Sequence, residues 1–170
     1  MARAPYIPLV YRLFFLYVEP VSALLGAYFA AVQPADYLAY LAPAPTSLAT
    51  ASTSPPTPTL VSLLQLANLY LLFALNEHLV LSSTSDRRVW RRLLLGLLIA
   101  DFGHLATMVP LAHEKGFLAV FVDFPRWSAM EWGSVGFVYA GASMRMSFLA
   151  GVGLPSGDTG QGRDAASKAE

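Results

Sequence analysis

No cysteine occurs among the 170 residues. That excludes disulfides, thiolate metal sites and a cysteine nucleophile, and leaves the redox compartment open. Charge is scarce as well: Asp, Glu, Lys and Arg make up 13% of the chain, against roughly 25% in a soluble domain. The 11 basic and 11 acidic residues cancel, so nucleic acid is not an expected partner. The three histidines are scattered and His-Glu-x-x-His is missing. No metal site is therefore expected, and Glu77-His78 alone is too little to make one. A Gly-rich phosphate loop, a Gly-x-Ser-x-Gly elbow and a dinucleotide fingerprint are also missing, so the expectation is a protein that works without a cofactor. No Asn-x-Ser/Thr sequon is present, so N-glycosylation is not expected.

What the chain does have is apolar length. Apolar residues reach 55% and the mean hydropathy is +0.50. Four stretches, Ile7–Val32, Thr59–Leu81, Leu93–Leu111 and Met130–Val152, are each near or above the roughly 20 residues needed to cross about 30 Å of hydrocarbon. They lack the period-two alternation of barrel strands. The pattern predicts an all-α, integral-membrane four-helix bundle in one domain over 1–153, with helices at about 7–32, 59–81, 93–111 and 130–152. A soluble all-α bundle is the alternative, but it would have little surface fit for water. The first stretch exceeds a signal-peptide core and contains Tyr11, Arg12, Glu19 and Pro20, so it reads as a permanent helix. Residues 33–58 read as a lumenal Pro/Ser/Thr-rich loop in which Tyr37–Leu41 could make a short interfacial turn but prolines forbid a continuous helix. Phe117–Val122 reads as a re-entrant or interfacial piece, and 154–170 as a disordered tail. Arg87, Arg88, Arg91 and Arg92 place the second connection, and with it both termini, in the cytosol. The same arginines could instead meet nucleic acid or anionic lipid head groups.

Each apolar stretch is interrupted by polar groups. An ionised side chain near the bilayer centre costs at least roughly 2.5–3.5 kcal/mol, so repeated charges are expected to share one interior site. From a rise of about 1.5 Å per residue, Asp101 and Arg145 fall at one depth and Glu19 and His104 at another. Glu77 falls nearer the cytosolic face, where with His78 it would be partly hydrated, and Glu131 nearer the opposite end. Asp101 and His104 project from one helical face. Gln65 and Asn68 read as interhelical glue. Trp127, Trp132 and Tyr139 suit an aromatic belt or a pocket wall. Two of these groups also have a purely structural reading: Glu19 before Pro20 as a partner for backbone freed by a proline kink, and Arg145 as a counter-ion for Asp101.

Acid–base chemistry is what this inventory permits. Two carboxyl groups in unlike surroundings can divide the acid and base roles. The candidate catalytic set is Asp101, Glu19, His104 and Arg145, with Glu19 or His104 as proton donor and Asp101 as base held by Arg145. Asn76, Glu77, Glu131, Trp132 and Tyr139 are the candidate substrate-binding residues. Opening an epoxide, closing a ring or shifting a double bond would all suit such a set.

The run Ile99-Ala-Asp-Phe-Gly-His104, with Met130-Glu-Trp-Gly-Ser-Val-Gly-Phe-Val-Tyr139, resembles a family of small fungal four-helix integral-membrane proteins. Some members are assigned as epoxide hydrolases in aurovertin- and citreoviridin-type polyketide pathways. The resemblance spans the four helices and carries no catalytic set, so the roles above rest on the residues. In architecture alone the chain is also similar to the emopamil-binding-protein class, which isomerises or binds sterols. These likenesses imply a membrane enzyme, in the endoplasmic reticulum, that opens an epoxide of an apolar polyketide or terpenoid. Its expected partners are that substrate, membrane lipids and pathway enzymes at the same membrane. The alternatives are an acid-catalysed isomerase or cyclase, a non-catalytic sterol- or lipid-binding or accessory protein, and a proton-coupled carrier.

Overall fold

The computed structural model describes residues 6–41 and 55–154. Among them the chain is helical and carries no strand, with six helices. These are α1 (Leu9–Val32), α2 (Pro34–Leu41), α3 (Thr57–Ser83), α4 (Arg87–Lys115), α5 (Phe117–Phe121) and α6 (129–149). Three of them, α1, α3 and α4, are long and apolar enough to cross a membrane. Helix α6 is not among those three. Glu131, Arg145 and a run of Gly and Ser dilute its apolar character. The expected four helices are thus present, with two short ones added and one that hydropathy alone does not mark as a span.

Local chemistry explains the boundaries. Pro58 lies in the first turn of α3, where a missing N–H removes no helical bond. Helix α4 starts six residues before the expected Leu93, because Asp86 Oδ1 caps it by accepting from Arg88 N at 2.7 Å. The cluster of arginines is therefore helical. Pro110 lacks the N–H that Ala106 would accept, and α4 breaks at Met108. The loop expected over 33–58 holds α2, anchored by Tyr37 Oη 3.4 Å from Tyr70 Oη on α3. Its remainder, 42–54, and the tail at 155–170 lie outside the described residues.

The segment expected as a re-entrant piece is α5, which follows Gly116 at φ 104°. It packs Val120 against Met108, Ala112, Trp127 and Val135. Trp127 Nε1 donates to Ala119 O at 2.9 Å and ties the connection to itself.

Helix α1 packs mainly on α3, and α4 mainly on α6. Partners run antiparallel, as Leu16–His78 and Gly26–Tyr70 show for the first pair and Trp90–Phe148 and Asp101–Arg145 for the second. At one end the pairs share an apolar core of Tyr11, Phe15, Leu81, Trp90, Leu94 and Phe148. Further in, polar groups join them.

Candidate functional site

Arg145 is fully buried on α6. Its Nη1 donates to Asp101 Oδ2 of α4 at 2.6 Å, and its Nη2 donates to Glu19 Oε1 of α1. Glu77 Oε1 of α3, also fully buried, lies 3.5 Å from Nη2. One guanidinium thus gathers a carboxyl group from each of the other three long helices. The rings of Phe15 and Phe73 stand against it, each centroid 5.8 Å from Cζ. Gly141 leaves the room: a Cβ there would sit 2.8 Å from Arg145 Nη1 and 3.2 Å from Glu19 Oε1.

Three carboxyl groups share a single cation, so full ionisation would leave two buried negative charges uncompensated. Neither oxygen of Glu77 nor Oε2 of Glu19 makes a hydrogen bond among the described residues. Glu77 lies beside Glu19, close enough for the two to repel when both are ionised. The cluster thus sets two carboxyl groups in hydrogen bonds to the guanidinium next to a third that has none, an arrangement in which a base and a proton donor can stand side by side.

His78 does the work expected of Glu19. Pro20 offers no N–H to the Leu16 carbonyl, and His78 Nδ1 lies 2.8 Å from that oxygen. The carbonyl fixes Nδ1 as the donor. A π-helical turn, Phe14–Val18, precedes Glu19, so the irregular backbone adjoins the cluster.

The expected depth pairing is only partly realised. Asp101 does meet Arg145, but Glu19 joins them instead of His104. His104 lies beside the Ser134 backbone in a second π-helical turn, Trp132–Gly136, with Nε2 buried and no contact to the four charged groups. Glu77 is not partly hydrated: antiparallel packing sets it opposite Glu19. Asn76 faces outward. Glu131 closes a capping box with Ser128 and pairs with Lys115. Trp132 is half exposed and packs on Trp127, and Tyr139 Oη donates to Phe121 O at 3.2 Å. Phe73 joined the site without a sequence signal, small Gly141 marks a close approach, and His78, expected to be partly hydrated beside Glu77, bonds the Leu16 carbonyl instead.

Among the described residues no group of three or more His, Asp or Glu has the arrangement to hold a metal ion. The guanidinium occupies the place a cation would take between the carboxyl groups. An apolar groove of about 520 Å³ opens between α1 and α6, lined by Val10, Leu13, Phe14, Val18, Ala140, Ser143 and Met144. It contains none of the four charged residues, yet Val18, Ala140 and Met144 adjoin Glu19, Gly141 and Arg145 in the chain.

A family model described as Domain of unknown function (DUF7704) matches residues 4–155, and the chain belongs to that family. No curated protein and no solved structure matches it.

Proposed function

We propose that this DUF7704 member is an integral membrane enzyme performing cofactor-free acid–base chemistry on an apolar substrate that enters from the bilayer. The observation that carries this reading is the excess of carboxyl groups around Arg145, which supplies a proton donor and a base within one buried cluster. In this reading α6 crosses the membrane alongside the three more apolar helices. Its charges are then neutralised inside the bundle and do not face lipid. The arginine-rich start of α4 and the outer ends of α1 and α6 lie in the cytosol, at the endoplasmic reticulum.

Epoxide opening of a polyketide or terpenoid is the reaction we assign, on the resemblance described above. A carboxylic acid at Glu19 or Glu77 protonates the oxirane oxygen as its C–O bond breaks. Asp101, oriented by Arg145, takes the proton from water as the water oxygen bonds to carbon, and a vicinal diol results. An internal hydroxyl in place of water gives a cyclic ether. The α1/α6 groove admits the substrate from the lipid.

Microsomes containing the protein should convert an apolar epoxide in ¹⁸O-water to a diol carrying one ¹⁸O. Asp101→Asn should lose that product while remaining in the membrane. Undiminished turnover by the variant would remove Asp101 as the base.

A second reading is favoured by the groove itself, whose lining is apolar and whose walls stop short of the charges. It is a non-catalytic lipid- or sterol-binding protein, with the cluster serving only to hold the helices. Saturable binding of an apolar ligand without conversion would select it.

A further inference from the structure

The outward face of α3 carries a feature that a helix facing lipid alone does not need. Gln65, Asn68 and Asn76 are all exposed, and none makes a side-chain hydrogen bond to the described residues. At about 100° per residue they fall within an arc of about 80°, centred about 180° from the buried face of Leu63, Ala67, Ala74 and Leu81. Among the described residues Gln65 and Asn68 are thus not the interhelical glue they were expected to be, and Asn76, expected to bind substrate, shares their outward face.

The same face has a second regularity. Val61, Gln65, Asn68, Leu72, Leu75 and Leu79 follow one another at spacings of four and three, and all six are exposed. That is the a/d rhythm of a left-handed helix pair. At 1.5 Å per residue the seam is about 27 Å long, close to the hydrocarbon thickness.

We infer that α3 pairs with α3 of a second copy through this seam. Two observations commit the face to a copy of itself. An amide is both donor and acceptor, so each can bond its own counterpart across a two-fold axis. The face carries no charge that would call for an opposite charge on a different partner. Copies inserted in one orientation put equal residues at equal depth, so the helices run parallel and Gln65 meets Gln65. Polar residues in an otherwise apolar seam also fix its register. The leucines and Val61 supply packing, and the amides are withdrawn from lipid.

This inference rests on the membrane reading above but not on the reaction. The absence of cysteine makes the test clean. In full-length protein reconstituted in phosphatidylcholine vesicles, Leu72→Cys should form a disulfide dimer on mild oxidation. Ile99→Cys, on the exposed side of α4, should not. Gln65→Leu and Asn68→Leu should each weaken self-association by about three- to thirtyfold, read from energy transfer between labelled copies. Equal cross-linking at positions 72 and 99 would overturn the inference, as would cross-linking of Leu72→Cys to a different protein in native membranes. So would affinity unchanged in both leucine variants. Protein that stays in the membrane through alkaline carbonate extraction but is monomeric would sink the seam alone. Release by carbonate would sink the membrane reading with it.

Discussion

Arg145 is the residue on which the four long helices depend together. Removing a buried cation that serves several carboxyl groups leaves their charges unmatched, at a cost of about 3–5 kcal/mol. Arg145→Met should therefore lower the thermal midpoint in detergent sharply, or prevent accumulation of folded protein. Arg145→Lys keeps the charge but lacks the planar fork that reaches Asp101 and Glu19 at once, so it should fall between Met and the natural residue. If the lysine variant is as stable as the natural protein, the fork is not what joins the helix pairs. Glu77 is a different case, because it stands 3.5 Å from the guanidinium and neither of its oxygens accepts a hydrogen bond among the described residues. Glu77→Gln keeps its shape and supplies an N–H to Glu19, so stability should change by no more than about 1 kcal/mol. Turnover should nonetheless be lost if Glu77 is the proton donor. Loss of folding in Glu77→Gln would show that Glu77 is structural.

At the scale of elements, irregular backbone is compensated by side chains from neighbouring helices. His78→Ala leaves the Leu16 carbonyl without a donor and should cost about 1–3 kcal/mol. In Pro20→Ala the restored N–H can take that carbonyl, so the double variant should recover much of the loss. Additive effects in the cycle would show that His78 and Pro20 act independently. The π-helical turn of α6 offers a second comparison. A Cβ at Gly136 would lie 2.5 Å from Trp132 Cε3, whereas at Gly133 it would meet nothing within 4 Å. Gly136→Ala should destabilise by about 1–3 kcal/mol through crowding. Gly133→Ala should be neutral or stabilising by up to about 1 kcal/mol. Matching denaturation midpoints for the two variants would mean that the Trp132 ring moves aside freely.

At the scale of the whole molecule, two antiparallel helix pairs meet through one apolar core and one charge cluster. An up-and-down arrangement puts the end of α1 and the start of α3 on the face opposite the arginines of α4. The chain has no sequon of its own, so an Asn-x-Thr introduced at 44–50 is an unambiguous reporter. It should be glycosylated in microsomes, and one introduced after residue 155 should not. The reverse pattern would invert the topology.

Helix content, the long helices and the expectation of a shared charge site were legible from the sequence, because transfer from water depends on composition and length alone. Asp101 and Arg145 could be matched by depth, since rise per residue is the same in every α-helix. Glu77 could not, because depth counted along one helix says nothing of its rotation or of the helix opposite. Antiparallel packing of α1 on α3 set Glu77 against Glu19 and gave His78 the carbonyl that Pro20 releases. The same rotation turned Gln65, Asn68 and Asn76 outward, although their sequence suits an inner face equally well. Glu131 and His104, both intramembrane candidates by pattern, went to a capping box and to the Ser134 backbone. The amino-acid order by itself thus determined which segments are helical, which are apolar enough to cross a membrane, and that their buried charges need one another. Which carboxyl group meets the guanidinium, and which amides are left unpartnered, was decided by tertiary packing, because contact between helices depends on rotation and crossing, which no local pattern specifies.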